Sequence, residues 1–189
     1  MAKGEGDVRA RLQAAAMELF GEQGYDRTTA TEIATRAGVT ERTYFRHFAD
    51  KREVLFQGEE VLRAALTKSI ADAPPGLGTV DLLFQAYRSV LPMLARNRPF
   101  AEPRHRIIAG TPSLREREIA KHAALADAMA AALGARGVPD LPAALAAHSG
   151  MGVFVHVVFS WLDDPELVLD DRLELARREM RRLWGDADP

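Results

Sequence analysis

GYDRTTATEIATRAGVTERTYFRHFADK, from Gly24 to Lys51, reads as two short helices joined by a tight turn, with a further helix opening where it ends. Thr29 with Glu32 three residues later matches a capping box at the start of the first helix. Ile33, Ala34 and Ala37 take its inward face. Gly38 offers the left-handed conformation that a turn between helices needs. Val39 is apolar and expected inside, and Thr40 can cap the second helix. At about 3.6 residues per turn, Tyr44 and Phe48 share one face and join Val39 in a small core. The opposite face carries Arg42 and Arg46, flanked by Thr43 and Phe45. A short, rigid helix of that chemistry fits the major groove, where arginine can bond two acceptors of one guanine. His47 and Lys51 lie beside it, placed for phosphates. Asp50 with Glu53 forms a second capping box. The stretch therefore reads as a helix-turn-helix with Thr40 to Phe48 as the reading helix. Two short helices around Ala-Gly-Val also occur in α-hairpins that touch no DNA, so this geometry alone leaves both readings open.

The ungapped pattern G-Y-x-x-T-T-x-x-E-I-A-x-x-A-G-V-T-x-x-T-Y-F-x-H-F-x-x-K, with its flanks from Phe20 to Leu55, resembles the amino-terminal domain of the TetR family of transcriptional regulators. The residues expected at double-stranded DNA are Thr29, Thr40, Glu41, Arg42, Thr43, Phe45, Arg46, His47 and Lys51. One departure stands out. TetR-like heads commonly carry a tyrosine where this chain has Phe45, and that hydroxyl often meets a phosphate. Phe45 cannot make the bond but can contact a thymine methyl, and Arg46 can take over the phosphate. That leaves the division between base and backbone roles open. Glu41, unusual beside DNA, can accept from a cytosine amine or pair with a neighbouring arginine.

Composition sets bounds. A chain of 189 residues holds one large domain, or a small domain on a bigger one. Hydrophobic residues make up 47% and charged residues 28%, which is ordinary globular material rather than a disordered chain. There is no cysteine, which excludes disulfides, thiolate metal sites and thiol switches and suits a reducing cytoplasm. The opening residues MAKGEGDVRAR lack the apolar core of a signal peptide. The longest near-continuous apolar run, Met151 to Leu162, contains His156 and Ser160 and is too short to span a bilayer. A cytoplasmic location and no membrane partner are expected. The formal net charge of -2 runs against the basic total common among nucleic-acid binders. Local charge decides the matter. Between Asp26 and Arg52 the cations are Arg27, Arg36, Arg42, Arg46, Lys51 and Arg52, against Asp26, Glu32, Glu41 and Asp50, two of which serve as caps.

Along the chain, residues before Asp7 read as a loose arm. A first helix runs from about Val8 to Gln23, with Leu12, Ala15, Ala16, Leu19 and Phe20 as its buried stripe. A fourth helix is expected from Lys51 to about Ala71, with the domain boundary inside it near Gly58. Residues 1–57 form the helix-turn-helix domain and 58–189 a helical ligand-binding and dimerisation domain. After Pro74-Pro75-Gly76, a fifth helix runs from Thr79 to about Arg96 with a kink at Pro92, and Pro99 and Pro103 fragment the stretch from Asn97 to Gly110. Ser113 with Glu116 opens another helix, ending near Gly134. Pro142 to Leu162 is apolar nearly all round, so it is central or at an interface. Asp164 is expected to cap the last helix with Pro165 at its first position. There Leu169, Leu173, Ala176, Met180 and Leu183 recur at alternating steps of 4 and 3, the spacing of a helix-helix seam.

The fold expected is all-α with about nine helices: a three-helix DNA-binding head bearing a helix-turn-helix, and a larger body. The last two helices can be plain core or a dimer's four-helix bundle, and the resemblance implies the homodimer. Two heads on successive turns of the duplex then read a pseudo-palindrome. The resemblance also implies an effector pocket for an unidentified small molecule, for which Tyr87, Phe100, His122 and Phe154 are the starting candidates. Taken singly, each also fits a plain core role. A ligand that fits only the conformation with misplaced heads would pull the protein off DNA, which makes it a ligand-released repressor. No cofactor, metal or catalytic residue is expected. A di-iron site needs two Glu-x-x-His pairs. Glu102-Pro103-Arg104-His105 is the only match, with Pro103 expected to spoil its helix. The alternatives are a helical interaction module without DNA binding, against which Arg42, Arg46, His47 and Lys51 speak, and, less favoured, a helical enzyme.

Overall fold

Eight α-helices and one 3-10 turn make up the described residues, 2–164 and 166–184, of the computed structural model, with no strand among them. They are α1 (Ala2–Gln23), α2 (Ala30–Arg36), α3 (Glu41–His47), the 3-10 turn Arg52–Val54, α4 (Glu59–Asp72), α5 (Thr79–Gly110), α6 (Pro112–Ala135), α7 (Asp140–Asp163) and α8 (Leu169–Trp184). The all-α expectation holds, with a helix count one below it.

The chain forms two units. The first comprises the residues to Gly58 together with Pro103–Glu118, and the second comprises Glu59–Glu102 with the residues from Ile119 on. In the first unit Leu12, Ala16, Leu19 and Phe20 of α1 close over Ile33, Ala34, Tyr44 and Phe48, with Leu55, Phe56, Ile108 and Leu114 completing the core. In the second, Leu83, Tyr87 and Val90 of α5 meet Leu125, Met129 and Leu133 of α6 and Ala147, Met151 and Phe154 of α7. Each such side chain taken fully from water contributes about 1.5–3 kcal/mol where it is as large as Leu or Phe. This is why two seven-residue helices, far too short to be stable alone, persist in the first unit.

Several elements differ from their sequence reading. Residues before Asp7 are helical, since α1 begins at Ala2. The helix expected from Lys51 is broken: a three-residue 3-10 turn leads into a loop in which Gly58 sits at φ +85°, a conformation open to glycine, and α4 starts only at Glu59. Conversely, α5 is one continuous helix of 32 residues through Pro92, Pro99 and Pro103. Spaced 7 and 4 apart, the prolines share one face, and Pro92 and Pro99 are exposed with Pro103 half-buried. The carbonyls left without an N–H partner therefore have solvent on the same side, while the opposite face stays in the core. Pro103 thus does not break the helix around Glu102 and His105. α6 starts at Pro112, with Thr111 rather than Ser113 as the preceding cap: its carbonyl accepts from the Leu114 and Arg115 amides, each at 3.1 Å. Pro112 holds the first helical position, where a missing N–H loses nothing.

At the carboxyl end, α8 begins at Leu169, and Asp164 instead turns the chain by accepting from the Glu166 amide at 3.0 Å. The Pro165 expectation lies outside the described residues. α7 is long and apolar enough to cross a membrane by length and composition, and Ala146, Gly150, Phe154 and Trp161 are among its residues buried inside the second unit. The expected seam on α8 is corrected. Leu169, Leu173 and Met180 are 7%, 1% and 4% exposed in the unit's own core, so their 4–3 spacing records packing within the chain itself. Ala176 packs part-buried against the same core, and Leu183 is exposed.

Candidate nucleic-acid interface

The turn between α2 and α3 is built as its residues dictate. Thr29 caps α2 in a reciprocal box: its hydroxyl accepts from the Glu32 amide at 3.2 Å, and the Glu32 carboxylate accepts from the Thr29 amide at 2.7 Å and hydroxyl at 2.8 Å. Those bonds, the backbone one foremost, hold the Glu32 carboxyl below its ordinary pKa. α2 ends at Ala37, and Gly38 at φ +68° reverses the chain, which a side-chain-bearing residue adopts only with strain. The Val39 amide closes the turn on the Ala34 carbonyl at 2.9 Å. Thr40 then caps α3, accepting from the Thr43 amide at 3.2 Å, and its hydroxyl also bonds that of Thr43 at 2.9 Å.

α3 divides cleanly. Tyr44 and Phe48 are 0% and 2% exposed, and the Tyr44 hydroxyl donates to the Asp50 carbonyl at 3.2 Å. Burial pushes that phenol well above its ordinary pKa, so it stays a donor. Thr43 and His47 are half-buried, and Glu41, Arg42, Phe45 and Arg46 are exposed.

The cations around α3 do not have equal standing. Arg36 is forked to Glu22 and reaches Glu18. Arg52 is held by Asp50 at 2.8 Å, and Arg27 donates to the Gln23 carbonyl at 2.6 Å. Lys51 is corrected as a phosphate ligand. Its ammonium donates to the Tyr25 and Thr28 carbonyls at 2.8 and 2.9 Å and lies 4.0 Å from the Tyr25 ring centroid. Burial draws its pKa down against the pull of Asp26 and Glu32, and its charge ties the loop before α2 rather than reaching outward. Thr29 likewise has its hydroxyl committed to the cap. Arg42 and Arg46 alone among these cations make no hydrogen bond or ion pair with any described residue. Glu41 also has none, so it does not pair with a neighbouring arginine.

Two residues of α1 that sequence reasoning missed position the pair of short helices. Arg11 donates to the Ala37 carbonyl at 3.0 Å, at the end of α2, and Arg9 donates to the His47 carbonyl at 3.3 Å, at the end of α3. Each guanidinium meets the negative end of a helix dipole. Their partners are 26 and 38 residues away, which no local spacing signals.

In the second unit the expected pocket residues separate into groups. Tyr87 and Phe154 stack with ring centroids 4.4 Å apart and planes at 9°. His122 tilts against Phe159 at 5.9 Å, while Phe100 is half-buried and joins no ring contact among the described residues. The Tyr87 hydroxyl is buried with no hydrogen-bond partner among the described residues, against Gly150 of α7, where an added Cβ would lie 2.9 Å from it.

The chain can be set beside known proteins on this geometry. The family model described as bacterial regulatory proteins, tetR family, matches residues 12–57, and that of the MftR C-terminal domain matches residues 77–184. The HTH-type transcriptional regulator TcmR of Streptomyces glaucescens is 37% identical over 84 residues, 44% of this chain and 37% of that protein, so the match spans little more than a third of the curated relative. FadR of Thermus thermophilus, a TetR-family transcriptional repressor solved with lauroyl-CoA, superposes with a TM-score of 0.58 at 27% identity over 90% of this chain and 91% of its own. NalD of Pseudomonas aeruginosa, the secondary repressor of the MexAB-OprM multidrug efflux pump, shares the fold with a TM-score of 0.66 at 23% identity, over 94% of this chain and 96% of its own.

Proposed function

The chain belongs to the TetR family of bacterial regulatory proteins, and on that premise we propose a cytoplasmic, homodimeric repressor that reads a pseudo-palindromic operator through α3 and leaves it when a small molecule enters the body. One observation carries the reading: Arg42 and Arg46 stand exposed and unpaired on α3 while the neighbouring cations are committed internally. An unpaired guanidinium pair on a rigid helix is pre-organised for acceptors on a partner, and guanine offers two in the major groove. The test is to select bound duplexes from a random pool and sequence them. A consensus of two inverted half-sites is expected, and a flat pool overturns the reading.

Dimerisation is supported by what the second unit leaves outside. Leu141 and Leu145 of α7 are 69% and 57% exposed, and Leu175 of α8 is 44% exposed. Ser149, Gly152 and His156 continue the α7 face at helical spacing and are also exposed. These residues replace the buried α8 leucines as the proposed contact. Leu145→Arg is expected to convert dimers to monomers in light scattering, because it sets a charge into a desolvated seam. A dimer that survives it removes α7 from the interface.

The effector site is proposed around Tyr87. A buried hydroxyl without a partner costs about 1–3 kcal/mol, a penalty that an apolar ligand carrying one acceptor relieves. The lauroyl group of the lauroyl-CoA held by FadR is an apolar chain that ends in one carbonyl acceptor, although the coenzyme A it is joined to is polar and charged. Tyr87→Phe removes the penalty without losing the stack on Phe154. The variant is expected to melt about 2–12 °C above the parent. A lower melting temperature would mean that the hydroxyl is already satisfied and is no ligand anchor.

A further inference from the structure

Phe45 is the one large apolar side chain exposed on α3, at 49%. Turning about 100° per residue, the helix places Glu41, Phe45, Arg42 and Arg46 in that order around one continuous exposed arc. The ring thus stands between the carboxylate and the two unpaired guanidiniums. It is held in place. Its centroid lies 5.4 Å from that of Tyr44 in an edge-on contact at 83°, and Tyr44 is itself fixed by full burial and its bond to the Asp50 carbonyl. A ring so braced loses little rotamer freedom on binding.

We propose, resting on the DNA-reading role of α3, that Phe45 selects thymine at one position of each half-site by packing its ring against the thymine C5-methyl. The chemistry of the groove leads there. Phosphates and sugars offer charge and hydrogen-bond acceptors, and phenylalanine has no donor for them. Among base edges in the major groove the C5-methyl is the single apolar group. The arc that carries Phe45 also carries the residues able to bond bases, so a helix docked by Arg42 and Arg46 brings the ring to base edges. Glu41, one turn earlier on the same side, disfavours a phosphate at that edge of the arc and leaves the base pair as the nearer neighbour. Position 45 then adds a methyl reader to a helix whose other contacts are polar. It separates A·T from T·A as well as from G·C, because the methyl lies on one strand only.

The test uses the full-length protein and the consensus duplex obtained by selection, with each thymine replaced in turn by deoxyuridine, which removes the methyl and keeps base pairing intact. One position per half-site is expected to weaken binding about fourfold, and about fifteenfold when both half-sites are substituted. Phe45→Ala is expected to bind more weakly overall and to respond equally to thymine and deoxyuridine there. Phe45→Tyr keeps the ring and is expected to keep the discrimination. Circular dichroism of both variants matching the parent establishes that the head is intact, as expected for a side chain this exposed. If no thymine responds to the replacement, or if the response persists in Phe45→Ala, the methyl contact is wrong while DNA reading by α3 stands. If selection yields no consensus, the DNA-reading role itself falls and this inference falls with it.

Discussion

Arg42→Ala is expected to lower affinity for the selected operator about 30-fold or more while leaving affinity for a random duplex nearly unchanged. A bidentate arginine–guanine contact discriminates by about 1–3 kcal/mol, and a dimer uses it twice, which gives about 2–6 kcal/mol. Titration by fluorescence anisotropy at one fixed salt concentration separates the two affinities, since both change steeply with salt. Equal losses on operator and random duplex would move Arg42 from a base edge to the phosphates. Arg36→Ala is the matched control, because its guanidinium is already engaged by Glu18 and Glu22. Those ion pairs are solvent-exposed and screened by water and salt, so neither DNA affinity nor stability should change much.

The largest stability effect is expected at Glu118. This carboxylate is 5% exposed and accepts from both terminal nitrogens of Arg104, whose Nε donates to the Leu55 carbonyl at 2.5 Å. The Arg104 guanidinium also lies 5.1 Å from the Phe56 ring centroid, and that of Arg117 lies 4.8 Å from it while donating to Glu53 at 3.4 Å. The segment Pro103–Glu118 is thereby tied into the first unit through the residues just after the helix-turn-helix. Glu118→Ala leaves a guanidinium buried without its counter-charge. Such losses cost about 3–5 kcal/mol. At about 2–4 °C per kcal/mol for a chain of this size, the melting temperature should fall about 6–20 °C. A fall of only a degree or two would mean that Arg104 finds water or another acceptor, and that the tie is dispensable.

Legibility in the sequence tracks the range of the forces involved. The helix-turn-helix is legible because every device in it is local. Thr29 and Glu32 cap across three residues, Gly38 reverses the chain where it stands, and Tyr44 and Phe48 lie one turn apart. The free state of Arg42 and Arg46 comes from the same local pattern. Lys51 misleads because its partners, Tyr25 and Thr28, lie 26 and 23 residues back. Its charge looks available until the fold closes on it. The three prolines of α5 argue for fragments because helix propensity is a local penalty, whereas burial of Leu83, Tyr87 and Val90 on the other face overrides it. The α8 stripe shows the converse limit. A 4–3 repeat announces a packed face but not the partner, and Leu173 and Met180 pack into the core of their own chain. The tie between Arg104, Glu118 and Leu55 has no sequence signal, since it joins positions 49 and 14 residues apart.

The central claim is that α3 enters the major groove and offers its unpaired arginines to guanine. Methylation interference on the selected operator tests this most directly, because methylating guanine N7 blocks a major-groove acceptor and methylating adenine N3 blocks a minor-groove one. The predicted result is loss of binding at a guanine N7 in each half-site, with the two positions about one helical turn apart or a multiple of it, and relief of that interference in Arg42→Ala. Interference confined to adenine N3, or none at guanine N7 in either half-site, would contradict the account.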